Sequence, residues 1–250
     1  YYADRLNQLP LGIIGIGVGT ALLPTMSRLI GADDAAGAVA QQNRAIELVL
    51  LLTLPAAAGL AILSAPIINL LFEHGQFTAA DTAATAAALS AFALGLPAYV
   101  LIKVLTPGFH ARGDTSTPVR VAVAAMLVNL VGNLVLIWPL GHVGIAVGTA
   151  IAAWANAAVL ALLLVRRGQF ALDARSRRTL PRFALATAAM LAVLLAVQSM
   201  LATPGEALLM RGLTLALLLG AGGLSYLAAA RALGLFTLKG LAAQLKRKHR

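Results

Sequence analysis

Two kinds of side chain in this sequence could do chemistry: a few charges at the ends of long apolar stretches, and a few amides and hydroxyls inside them. Arg5 stands at the start of the first stretch, and Gln8, three residues on, falls on roughly the same helix face. A guanidinium is a planar fork that meets two phosphate oxygens at once, so this pair could bind an anionic headgroup. An arginine that merely snorkels to the interface, paired with Asp4, would look the same in sequence. Lys103 closes the third stretch and Glu47 opens the second at the same level, one turn after Asn43. Both are candidates for substrate contact, or for a bridge to one another. Asn129 and Asn133, four apart, share a face of the fourth stretch, and Thr149 lies in the fifth, its antiparallel neighbour. Such oxygens either bridge helices or coordinate a small cation. Asn69 and Asn156 read as helix bridges.

No catalytic constellation accompanies them. The four histidines sit in separate loops or the tail, without metal-ligand spacing. Ser-His-Asp arrangements, a Walker A loop and paired intramembrane carboxylates are all missing from the sequence. Gly15-Ile16-Gly17-Val18-Gly19 superficially matches a nucleotide-binding turn, but no strand precedes it and it lies inside an apolar stretch. We expect no enzyme, no catalytic or metal-binding residue and no organic cofactor. Work on a substrate would draw on a gradient, the membrane potential or substrate supply.

The elements that must position these residues are seven uncharged apolar stretches: Leu6–Ser27, Leu48–Leu71, Thr82–Ile102, Val121–Leu140, Val143–Val165, Phe183–Thr203 and Gly212–Ala230. Each holds 19 to 24 residues without one Asp, Glu, Lys or Arg, and a helix needs about 20 to cross ~30 Å of hydrocarbon. Lipid cannot satisfy free backbone N–H and C=O groups, so each should be helical. The chain is 60% hydrophobic and 11% charged, with a mean hydropathy of +0.87, which sets it apart from soluble domains. It has no Cys, which excludes disulfides, thiolate chemistry and Cys-based zinc sites.

The net charge of +10 raises the question of nucleic acid, and where the charges sit answers it. Seventeen of the 19 Lys and Arg fall in alternate loops and the C-terminal tail, leaving only Arg5 and Arg211 on the other side. That asymmetry places the N-terminus outside and the C-terminus in the cytoplasm, with membrane lipids rather than nucleic acid as the partner of the basic tail Lys246–Arg250. Gly15 with Gly19, and Gly144 with Gly148 and Ala152, are spaced for close helix approach. Asp33 to Glu47 reads as a surface helix running into the membrane. Asp81 suits a helix start, and Thr117 as N-cap with Pro118 behind it would start the fourth span. The chain opens Tyr-Tyr-Ala-Asp-Arg without Met or a signal peptide, so we expect it to be the C-terminal part of a longer protein.

Two motifs carry a family resemblance. Tyr1-Tyr2-Ala3-Asp4-Arg5-Leu6, followed by Gly15–Thr20 and Leu22-Leu23-Pro24, resembles the eighth transmembrane helix of the MurJ/MviN lipid II flippases. Lys103-Val104-Leu105-Thr106-Pro107-Gly108-Phe109, with Ala111–Thr115 and Thr117-Pro118-Val119, is similar to that family's loop between helices ten and eleven. The likeness implies an all-α membrane protein: seven transmembrane helices, the C-terminal half of a 14-helix, MATE-like flippase of the multidrug/oligosaccharidyl-lipid/polysaccharide (MOP) exporter superfamily. It implies lipid II as substrate, the undecaprenyl-pyrophosphate-linked peptidoglycan precursor, moved from inner to outer leaflet of the bacterial cytoplasmic membrane by alternating access. It places Arg5 in the cavity against the pyrophosphate, beside the candidates Gln8, Lys103 and Glu47 read from the residues, and makes the N-terminal lobe of the same protein a partner. It also implies a coupling monovalent cation, Na+ or H+, with Asn129, Asn133 and Thr149 at a place where some relatives have carboxylates.

The expected organisation is a lobe of five spans over 1–166, a basic cytoplasmic linker over 167–182, two helices forming a lipid-tail groove over 183–235, and a basic tail over 236–250. Two other readings stay open, and a third, a membrane-embedded glycosyl- or acyl-transferase, is disfavoured by the lack of clustered acid or His residues. One is a different exporter of the superfamily, moving another polyprenol-linked glycan or a drug. The other is a non-transporting scaffold of cell-wall synthesis.

Overall fold

The computed structural model describes residues 1–201 and 208–235, apart from the side chains of residues 16, 19 and 20. The basic tail expected over 236–250 lies outside the described residues. Eight helices are described: α1 (Tyr2–Gly31), α2 (Ala35–Ile62), α3 (Ser64–Phe72), α4 (Ala79–His110), α5 (Ser116–Leu140), α6 (His142–Arg166), α7 (Ala174–Met200) and α8 (Leu208–Ala232). Six of them, α2 and α4 to α8, are long and apolar enough to cross a membrane. Leu6–Ser27, the first expected stretch, is helical within α1 but is not among those six.

The chain divides into two compact units, Tyr1–Ser176 and Arg177–Arg250. In the first, α4 is the hub, packing against α1, α2, α3 and α6, while α5 rests chiefly on α6. Leu89, Leu96, Val100, Val104 and Phe109 of α4 are wholly or almost wholly buried. By contrast α5 exposes apolar side chains along most of its length, among them Met126, Leu130, Val131, Leu134 and Trp138. In the second unit, Phe183, Ala186, Met190 and Leu194 of α7 are buried, as are Leu215, Leu218, Tyr226 and Ala230 of α8. That is the three-and-four spacing of a helical seam, and Gly222 lets Leu194 come close.

The helix boundaries follow local chemistry. The surface helix expected from Asp33 to Glu47 is continuous with the second span. It is started by Asp34, whose carboxylate accepts Gly37 N–H at 2.8 Å. The second stretch is not one rod: it breaks at Leu63, between α2 and α3. Pro66, three residues on, has no N–H to give Ile62. The nearby carbonyl of Ala61 is served by Ser64 Oγ at 3.1 Å and Ser90 Oγ at 2.9 Å. Asp81 does start α4, as half of a capping box with Thr78; the Thr78 backbone N–H, then its hydroxyl, hold the Asp81 carboxyl below its usual range.

The start of α5 differs from expectation. The helix begins at Ser116, so Thr117 lies inside it and is not the cap; its N–H donates to the Asp114 carboxylate at 2.9 Å. A carboxylate held in place by Arg167 at 2.7 Å is the stronger acceptor. These donors, Thr117 and Arg167 first, hold the Asp114 carboxyl well below the ordinary range.

Candidate functional site

Arg5 sits on a face of α1 that the fold leaves open. Ala3 and Asn7 are buried on either side of it in sequence, whereas Tyr1, Arg5, Gln8, Leu9 and Ile13 are exposed, as a 3.6-residue period requires. The buried side of α1 is anchored by Ala3 in a cluster with Ile68 and Leu89, while the exposed Tyr2 sets its ring 4.5 Å from that of Phe72, tilted by 37°. On the open side, Arg5 Nη1 donates to Gln8 Oε1 at 3.2 Å, and Gln8 Nε2 donates to Asp4 Oδ2 at 2.6 Å. Tyr1 lies under the guanidinium, 5.0 Å from ring centre to Cζ. Asp4 therefore takes Gln8 rather than pairing with Arg5, and Arg5 forms no ion pair among the described residues. With one of its five N–H groups engaged by Gln8, the fork keeps donors for an anion.

Lys103 lies elsewhere. It does not close its helix: α4 continues through Pro107 to His110. Its side chain crosses Gly15 of α1, with Cδ 2.9 Å and Nζ 3.1 Å from where a Cβ would stand. Gly15 is ten residues after Arg5, or ~15 Å along the axis, so the two cations occupy different depths. The close approach expected at Gly15 is real, and it admits a side chain rather than a backbone.

Glu47 is not Lys103's partner in the structure. Nearly buried, it accepts from Arg44 Nη1 at 2.6 Å, from Ser176 Oγ at 2.8 Å and from Arg175 Nε at 3.3 Å. Arg44 also pairs with Asp173, and Asp173 Oδ1 takes the Ser176 N–H at 2.6 Å to cap α7. Burial pushes the Asp173 carboxyl up, but Ser176 and Arg44 outweigh it and leave it lowered. Asn43, fully buried, donates to Val39 O and Ala171 O, each at 2.9 Å. The cluster fastens the segment 170–176 onto α2. Glu47→Ala should cost about 1–3 kcal/mol by leaving these donors unmatched, with little of it from exposed Arg175; a melting curve unchanged from the parent would show the cluster to be idle.

Asn129 and Asn133 are bonded along α5, Asn133 Nδ2 to Asn129 Oδ1 at 2.8 Å. Asn133 Oδ1 is buried beside Gly148 and without a donor among the described residues. Thr149 donates to Ile145 O at 2.7 Å and is bonded to neither asparagine among the described residues.

Residues 108–112 of the second motif pack locally. Gly108 admits Gln42 Nε2, 2.8 Å from a notional Cβ, and Gln42 donates to Val104 O at 3.2 Å. Phe109 is buried beneath Arg167, 5.5 Å from ring centre to Cζ, while Arg112 donates to Gly108 O and Gln169 O. Gln42, Arg44 and Asp173 could not be picked out from the sequence because Gln42 bonds Val104 and Arg44 pairs with Asp173, partners distant along the chain. Among the described residues no group of three or more His, Asp or Glu could hold a metal ion.

Residues 1–238 match the family described as lipid II flippase MurJ. The chain is 42% identical over 249 residues to the probable lipid II flippase MurJ of Rhizobium meliloti (strain 1021), covering 98% of this chain and 46% of that protein. Over 159 residues it is 52% identical to the corresponding protein of Rickettsia prowazekii (strain Madrid E), covering 64% of this chain and 31% of that one. A solved structure described as lipid II flippase MurJ, inward closed conformation, aligns over 92% of this chain and 45% of its own, with a TM-score of 0.73 at 28% identity. The chain spans less than half the length of each of these proteins.

Proposed function

We propose that this chain, which belongs to the lipid II flippase MurJ family, forms helices eight to fourteen of a 14-helix flippase, with α1 as an additional span beside the six apolar helices. It is a multi-pass membrane protein. In the proposed cycle it is a transporter, not an enzyme, and moves lipid II from the inner to the outer leaflet of the bacterial cytoplasmic membrane by alternating access.

The observation that carries the reading is the unpaired fork of Arg5 on an open face of α1. It is oriented by Gln8 and backed by Tyr1, so that pyrophosphate oxygens can take its remaining donors. Lys103, at another depth, would meet the headgroup at a different stage of its passage. Glu47 would act at a distance, by fixing the segment that leads into α7. Residues 1–166 serve as the lobe, 167–182 as the cytoplasmic connection, 183–235 as the lipid-tail helices and 236–250 as a basic anchor. The seam between α7 and α8 is filled by their own side chains, so a lipid tail would lie on their exposed leucines, such as Leu217 and Leu224. Asn129, Asn133 and Thr149 carry no titratable proton, so a cation held there would be Na+; proton coupling would run through other groups. Growth of a flippase-depleted strain on the full-length protein tests the activity, and failure to grow despite correct insertion would contradict it.

The proposed orientation has its own test. Single cysteines replacing the exposed Gln76 and His142 should react with an impermeant reagent added to intact cells, and those replacing Thr115 and Arg178 should not. Outside labelling at position 178 would reverse the topology.

A further inference from the structure

On the α5–α6 hairpin two cavities meet at Val128. One, of ≈ 220 Å³, is lined by Arg120, Ala124, Ala125 and Val128 of α5 and by Asn156 and Val159 of α6, among others. The other, of ≈ 490 Å³, continues along α5 past Val131 and Gly132 to Leu136. Arg120 is exposed one turn inside the start of α5, at the end of the groove where the net positive loops gather. Asn156 makes no side-chain hydrogen bond among the described residues, and its Oδ1 is buried without a donor. The remaining lining is Val, Ala, Leu, Ile and Gly.

We propose that this groove binds one anionic glycerophospholipid, such as phosphatidylglycerol, as a bound lipid distinct from any transported substrate. Three levels of the groove match three levels of such a lipid. Arg120 lies four residues from the start of α5, and Asn156 lies ten from the end of antiparallel α6. At ~1.5 Å per residue, Asn156 is therefore ~9 Å deeper than Arg120. The polar layer of one leaflet is ~5–8 Å thick, so a phosphate at Arg120 brings the glycerol esters close to Asn156, whose Nδ2, not its buried Oδ1, can donate to an ester carbonyl. Ala124 and Ala125 lie between those two levels and leave room for the glycerol backbone, and one leaflet's hydrocarbon, ~15 Å deep, then runs past Val128, Val131 and Gly132. Charge complementarity chooses the headgroup: a zwitterionic phosphatidylcholine gives Arg120 a phosphate but brings its own cation to the same place. Only the bilayer placement of α5 and α6 is needed, not the transport activity.

The test uses the purified full-length protein in nanodiscs holding equal phosphatidylglycerol and phosphatidylcholine, with retained lipid identified by native mass spectrometry. The parent should retain one phosphatidylglycerol with about fivefold preference, the scale expected of one basic residue near the membrane surface. Arg120→Gln should lose that preference while still retaining a lipid. Ala124→Trp, which fills the groove, should lose the retained lipid of either headgroup, with folding checked by its melting curve. If Ala124→Trp does not fold, a photo-cross-linker at position 128 replaces it, and an adduct with lipid supports the site. Unchanged preference in Arg120→Gln would overturn the proposal. So would a cross-link from position 128 to another segment of the protein, which would assign the groove to a packed helix.

Discussion

Arg5→Ala should abolish complementation of a flippase-depleted strain while leaving protein level and membrane insertion at parental values. The guanidinium has no ion-pair partner among the described residues; it donates to Gln8 and lies over the ring of Tyr1. Its removal therefore takes away little of the fold, and the loss falls on substrate binding. Arg5→Lys separates two roles. A lysine at a membrane interface snorkels as well as an arginine, so an anchoring role would leave the Lys variant nearly silent. A phosphate fork is different, because an ammonium presents a point charge where the guanidinium presents two parallel donors. The Lys variant should restore little growth. Full growth with Lys would remove the fork from the account, and full growth with Ala would remove Arg5 from the site.

The second large effect is expected in the α5–α6 hairpin. A Cβ on Gly144 would collide with the backbone carbonyl of Leu136, and one on Gly148 with Asn133 Oδ1. The Leu136 carbonyl belongs to a helix and cannot rotate away, so Gly144→Val must push the two helices apart. Overpacking of this kind costs about 1–3 kcal/mol, and occasionally more. The loss should be high in that range, because α5 has little other contact with its unit. The internal control is Gly12→Ala: nothing lies within 4 Å of the added methyl, so its melting temperature should not fall. Melting of both variants in detergent measures the difference. A Gly144→Val protein as stable as the Gly12→Ala one would mean that the hairpin is not packed this way.

The hairpin is also where the sequence was most readable. Small residues four apart in an apolar helix let a neighbour come close, and Gly144 and Gly148 have one in α5. The helical stretches were legible for a similar reason, since lipid leaves the backbone no other way to satisfy itself. Lys103 was misplaced because a hydropathy window stops at a charge, whereas α4 continues for seven residues beyond it. The charge inside the helix is accommodated by the absent side chain of Gly15, on a different helix. The Glu47 cluster was invisible for another reason. Arg44 and Asp173 are 129 residues apart, and no local pattern ties the loop before α7 to the start of α2. At Arg5 the motif pointed to the residue, but only the fold distinguishes its open face from the buried one carrying Ala3 and Asn7.

The most direct test of the central reading is translocation itself. The full-length protein is reconstituted in liposomes carrying lipid II in both leaflets, and an added impermeant enzyme modifies the headgroups it can reach. With the parental protein the pool initially protected inside should become reachable, while Arg5→Ala liposomes of equal protein content should retain it. Protection persisting with the parental protein, while a different polyprenol-linked glycan is moved in the same liposomes, would contradict the assignment of lipid II to this chain.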